Sequence, residues 1–186
     1  MKFRSGMITT VAILCAARNS VYKTMVGVEV YDMARDVRTF SGGMPIVAHP
    51  PCRAWSAFCA HQAKPAEGEK ELGLLCVELL KRNGGILEHP AHSRLYDATD
   101  SPKPGELSRH GLWSIAVKQS WWGCDLTKST WLLFGGLTRD QIDVPLRLSA
   151  STGDRRRWQV KSKHQRSATT HAFAEWLVCA ARKAMA

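Results

Sequence analysis

Pro45-Ile46-Val47-Ala48-His49-Pro50-Pro51-Cys52 is the stretch on which the fold turns. An apolar run ends at His49 and two prolines, which have no backbone N–H to give a ladder and so close a strand. The run shows no polar alternation, as expected of a strand covered on both faces. Val11-Ala12-Ile13-Leu14-Cys15 reads the same way, and residues 26–31 supply another strand. Further on, Leu72, Leu75, Cys76, Leu79 and Leu80 recur at helical spacing and Asn83-Gly84-Gly85 stops them, which predicts a helix over residues 67–82. Ile86-Leu87-Glu88 follows as a short strand before His89-Pro90. Residues 113–118 and 130–134 predict two more strands, and Phe173, Trp176, Leu177, Ala180 and Ala184 a closing helix. Strands alternating with helices predict an α/β fold with a mainly parallel sheet, whose sites lie beyond the carboxyl ends of its strands.

The chain has 186 residues, 45% apolar and 23% charged, which suits one globular domain over residues 1–186 and excludes a disordered or collagenous chain. No apolar run approaches the ~20 residues of a membrane-spanning helix, so no membrane partner is expected. Charge is the unusual quantity, at +10. Residues 1–100 carry 12 basic against 10 acidic side chains, and residues 101–186 carry 14 against 6. Arg155, Arg156, Arg157, Lys161, Lys163 and Arg166 follow one another with no acid among them, inside a basic inserted segment at residues 137–165 and just past it. Such a field attracts a polyanion, and Trp158 among the cations adds a ring on which a base stacks, so DNA is the expected partner. A plain solvated basic face is the alternative.

Six cysteines, at 15, 52, 59, 76, 124 and 179, include no CxxC pair, so no zinc ribbon is expected and the composition points to a reducing cytoplasm. Lys2 and Arg4 before the mostly apolar residues 7–17 have the outline of a secretory leader, but Thr9 and Thr10 interrupt it. We read that run as a buried strand. His49, Cys52, Cys59, His61, Glu88, His89 and His92 include possible zinc ligands, yet they lack the H-x-E and P-C-x-x-C spacing of nucleobase deaminases, and no metal is expected.

Two strand ends carry the chemistry. Cys52 follows Pro50-Pro51 on a stiff turn, and a helix starting beyond it, together with Arg53, would favour the thiolate. Glu88 places a carboxylate at the tip of the next core strand, so adjacent strands would set a nucleophile beside a proton donor. Taken singly, Cys52 is equally readable as a core filler and Glu88 as a cap or ion-pair partner. Trp121 and Trp122 are read as core and rim residues, with a stacking wall for a base as the sharper option.

Pro50-Pro51-Cys52-Arg53-Ala54-Trp55-Ser56 resembles the nucleophile loop of DNA cytosine-5 methyltransferases, and Leu87-Glu88-His89-Pro90 resembles the Glu-Asn-Val motif that follows it. Residues 122–135 lie without gaps on a third family pattern, in which Lys128 takes the first motif arginine's place and Thr130 the second's. Glu29, before Asp32, is similar to the family's ribose-binding acid. The resemblance implies a compact or truncated Rossmann-like, methyltransferase-type sheet. It implies catalysis on a flipped cytosine by Cys52, Glu88 and Lys128, with S-adenosylmethionine held by Glu29, Asp32 and Pro50. Arg53, Arg155, Arg156, Arg157 and Arg166 would meet DNA. Only residues 137–165 are left to read sequence, which implies a separate target-recognition subunit. Residues 16–20, Ala-Ala-Arg-Asn-Ser, offer no glycine for the cofactor loop. Two other readings stand beside this one: a nucleobase- or nucleotide-modifying enzyme on the same fold without S-adenosylmethionine, and a non-catalytic DNA-binding relative.

Overall fold

The computed structural model describes residues 9–56, 64–126, 128–145, 162 and 168–184. Its strands are β1 (Val11–Leu14), β2 (Val28–Val30), β3 (Ile46–Ala48), β4 (Gly85–Pro90), β5 (Leu112–Lys118) and β6 (Ser129–Gly135). They form one sheet in the order β2-β1-β3-β4-β6-β5. The helices are α1 (Glu69–Asn83), the single turn α2 (Leu95–Ala98) and α3 (His171–Ala181). No helix among the described residues is long and apolar enough to cross a membrane.

The expected α/β fold is present, and its sheet is parallel in part. β2, β1, β3 and β4 pair in parallel, but β6 is antiparallel to both β4 and β5, so the sheet is mixed. β5 and β6 are joined by residues 119–128, too few for a helical crossover, and so they return antiparallel. β6 is apolar along almost its whole length because it is wedged between two strands and covered on both faces. Such a run looks alike in either direction.

Two apolar layers sandwich the sheet. Along β1, Val11 and Ile13 face Phe173, Leu177 and Val178 of α3, while Ala12 and Leu14 face Cys76, Val77 and Leu80 of α1. This is the period-two alternation of a strand with no wet face. α1 begins with Glu69 and Glu71 and ends with Lys81 and Arg82, charges that complement its dipole.

The order reverses at β1, which has β2 on one side and β3 on the other. In open α/β sheets that switch point opens a crevice beyond the strand ends. Gly85 fixes the strand that carries Glu88. Its φ is 117°, and a Cβ there would sit 2.0 Å from the Ile46 carbonyl oxygen. Because that obstacle is backbone, Gly85→Ala is expected to cost at least about 3 kcal/mol, read as a lower urea midpoint.

Candidate functional site

Parallel register builds the site. β3 and β4 pair Ala48 with Leu87, so the next residues, His49 and Glu88, arrive side by side. The His49 amide still bonds the Leu14 carbonyl at 3.0 Å, after which Pro50 and Pro51 turn the chain away from the sheet. Cys52 follows, ahead of a single 3-10 turn at Arg53–Trp55.

A cleft of about 980 Å³ opens at this end of the sheet, beside the switch point. Cys52, Glu88, Lys128 and Pro50 line it, together with Tyr22, His49, Gln119 and Thr130. Tyr22 comes from the turn Val21–Thr24 between β1 and β2, and Gln119 from the connection leaving β5.

Glu88 is the hub of the cleft. Its Oε2 lies 3.0 Å from His49 Nδ1, and its Oε1 accepts from Gln119 Nε2 at 3.1 Å. Gln119 Nε2 also donates to Thr130 Oγ1 at 3.0 Å, and Tyr22 Oη lies 2.9 Å from His49 Nε2. Burial pushes the Glu88 carboxyl up, but the His49 hydrogen bond and the positive potential of the groups around it, Lys128 among them, outweigh it, leaving the group below its ordinary value. Burial raises Tyr22 well above a normal phenol, and the Glu88 charge adds to this.

Cys52 behaves differently from the sequence expectation. The residue is exposed at the cleft, yet neighbouring atoms desolvate its sulfur; this, with the Glu88 charge, raises the thiol despite Arg53. Arg53 is drawn into an ion pair with Glu69 at the start of α1. At neutral pH the site therefore rests with a proton on sulfur and a charge on Glu88. Lys128 is lowered by burial, against the pull of Cys124 and Glu88, and its Nζ donates to the Ala168 carbonyl at 2.6 Å.

Other expected residues lie elsewhere. Glu29 pairs with Arg35 at 2.8 Å and Asp32 with Lys23 at 2.5 Å; neither lines the cleft. The Lys23 bond and the Ala34 and Arg35 amides hold Asp32 down to about 2. Trp122 packs with Phe173 and Trp176 in the core. His89 is buried on the other face, and burial lowers it to about 4, so it is neutral. Arg155, Arg156, Arg157 and Arg166 lie outside the described residues, as does most of segment 137–165. Among the described residues, no three His, Cys, Asp or Glu side chains are grouped to hold a metal ion.

Nothing in the sequence singles out Tyr22 and Gln119 for the cleft, since each reaches His49 or Glu88 only through the sheet order, whereas Thr130 falls at the second arginine position of the third family pattern. His49 has one usable signal: it directly follows a core strand whose parallel neighbour ends in Glu88.

Fold and site together define an α/β protein with an ionisable cleft at the switch point of a mixed sheet. Comparison with protein-family models, with curated proteins and with solved structures finds no match to this chain.

Proposed function

We propose that this chain is a DNA cytosine-5 methyltransferase-like enzyme that acts on a flipped base, with Cys52 as nucleophile and Glu88 on the ring edge. The observation that carries the reading is the meeting of Cys52 and Glu88, from the ends of two parallel neighbours, in one cleft. The sheet's order reversal at β1 agrees with a methyltransferase-type fold.

Stacked in a duplex, the ring atoms are out of reach, so the base must swing into the cleft. The Cys52 thiol proton passes to the Glu88 carboxylate and on to ring N3 as sulfur bonds to C6. The C5–C6 π pair moves between C5 and C4, and the former C4–N3 π pair receives the proton on N3. C5 becomes nucleophilic. C5 takes an electrophile with the C4–C5 π pair, and C4=N3 re-forms as N3 gives its proton back to Glu88. Water then removes the original C5 hydrogen as a proton, that bond pair re-forms C5=C6, and the S–C6 pair leaves on sulfur. Sulfur regains its proton through Glu88. Lys128 supplies a cation facing the base or its phosphate.

The residues present do not form a cradle for S-adenosylmethionine. Both candidate ribose acids are ion-paired away from the cleft, Pro50 alone of its three candidates lines it, and residues 16–20 hold no glycine. No step is routed through it. That arrangement favours, as a second reading, a nucleobase- or nucleotide-modifying enzyme on this fold that does not use S-adenosylmethionine. The two separate by calorimetry: heat on adding S-adenosylmethionine to the protein–DNA complex supports the first, and none supports the second.

Base addition is tested without any methyl donor. In deuterated water, a C6 adduct lets C5 take a deuteron and lose its hydrogen, so cytosines gain one mass unit. Nucleoside mass spectrometry of DNA incubated with the protein is expected to show this exchange; none, with DNA bound, would overturn addition to cytosine C6.

DNA would be met by Arg53 and the basic run, with a separate subunit supplying target recognition. Changing Arg155, Arg156 and Arg157 together to Ala should lower the slope of log affinity against log salt by roughly 0.9 for each phosphate no longer neutralised. Fluorescence anisotropy across a salt series measures it, and an unchanged slope returns the run to a solvated face.

A further inference from the structure

Among the described residues lining the cleft, Glu88 is the only acid. The ionisable groups around it come from several elements: His49 after β3, Cys52 beyond it, His89 on β4, Lys128 before β6, Tyr22 between β1 and β2, and Tyr96 on α2. Of these, His49 is the one with a hydrogen bond to the carboxylate. Its ring is pinned at both nitrogens, and its side chain is only 13% exposed.

We propose, resting on the base-adding reading above, that His49 is a positioning residue: fixed by Tyr22 through Nε2, it fixes the Glu88 carboxylate through Nδ1 and keeps the mobile proton on Cys52 until a base enters.

The hydrogen-bond inventory sets the direction of the relay. An ionised carboxylate only accepts, so His49 Nδ1 donates its hydrogen to Oε2, and in the neutral ring Nε2 is then the acceptor for the Tyr22 hydroxyl. Gln119 Nε2 fills a site on Oε1. Each carboxylate oxygen has two acceptor sites, so one on each is left for the ring edge. Without His49 a buried carboxyl takes up a proton itself, because burial disfavours the charged form. The carboxyl would then no longer accept the thiol's proton, and the step that activates Cys52 would fail. Tyr22 cannot be the proton source, since that would leave a buried phenolate.

The test titrates Glu88 in the full chain by carboxyl ¹³C NMR, with its signal assigned by its loss in Glu88→Gln. In His49→Ala the midpoint is expected to rise by roughly three pH units, enough to leave much of Glu88 protonated at pH 7. An Asn amide nitrogen falls where Nδ1 lies and a Gln amide nitrogen where Nε2 lies. His49→Asn should therefore restore most of the low midpoint, and His49→Gln should not. A role confined to filling space would leave the Asn and Gln variants alike. An unmoved midpoint in His49→Ala, or equal midpoints for Asn and Gln, overturns the proposal. If His49→Ala does not fold, the Asn and Gln pair decides alone. Alkylation gives a second readout: neutralising Glu88 relieves the thiolate, so iodoacetamide should label Cys52 several-fold faster at pH 7 in His49→Gln than in His49→Asn. Both readouts are taken without substrate. A missing deuterium exchange would therefore strike the base-adding reaction, and an unmoved Glu88 midpoint would strike the role of His49.

Discussion

Cys52→Ala is expected to abolish deuterium exchange at cytosine C5, a fall of at least about a thousandfold, because the sulfur is the atom that bonds C6. Its side chain stands at an exposed position just ahead of a single 3-10 turn and takes no part in the core, so thermal stability should change by less than about 0.5 kcal/mol. That combination separates a nucleophile from a filler: a filler would lose stability and keep exchange. Cys52→Ser keeps the shape but offers a hydroxyl far harder to ionise, so it should be nearly as inactive. Full exchange by either variant removes Cys52 from the mechanism. DNA affinity serves as the control and should stay within about twofold, since Cys52 contributes no charge to counterion release.

Glu88→Gln should reduce exchange by roughly 10²- to 10⁴-fold, the usual range for a lost acid–base group. Gln at 88 neither receives the Cys52 proton nor passes it to N3. The same change removes a negative charge that raises the Cys52 thiol, so alkylation at neutral pH should accelerate while exchange collapses. Unfolding would also free the thiol and abolish exchange, so a circular dichroism spectrum and urea midpoint close to the parent's must accompany the two assays.

Stability supplies a second check on Glu88. Its folded pKa lies below its ordinary value of 4.5, so ionised Glu88 binds fewer protons folded than unfolded. The stabilisation is fully present above pH 4.5 and is lost as pH falls through the lower folded value. Urea midpoints of the parent chain should therefore drop between pH 6 and acid more steeply than those of Glu88→Gln. Parallel curves would mean that the His49 bond and the surrounding cations do not outweigh burial.

Much of the architecture is legible in the residues. The apolar runs at 11–15 and 45–48 are β1 and β3, and the stripe from Leu72 to Leu80 is α1, which starts at Glu69 and closes at Asn83. Pro50-Pro51 and Asn83-Gly84-Gly85 end their elements because one lacks a donor and the other tolerates left-handed backbone. Local chemistry of this kind acts within a few residues, so the sequence reports it directly.

Other features follow only from long-range pairing. The reversal of β6 is invisible in Thr130-Trp131-Leu132-Leu133-Phe134, since a strand covered on both faces carries the same residues in either direction. Tyr22, His49, Glu88 and Gln119 are spread over 98 positions of the chain and meet only because the sheet order is β2-β1-β3-β4-β6-β5. Protonation is settled the same way. Arg53 beside Cys52 in the sequence suggests a thiolate, but the folded chain turns Arg53 to Glu69, desolvates the sulfur and brings the Glu88 charge into its field. Sequence determined where strands and helices begin and end, because propensity and capping are short-ranged. Tertiary structure alone decided strand direction and which group holds the proton, because burial and charge act through space.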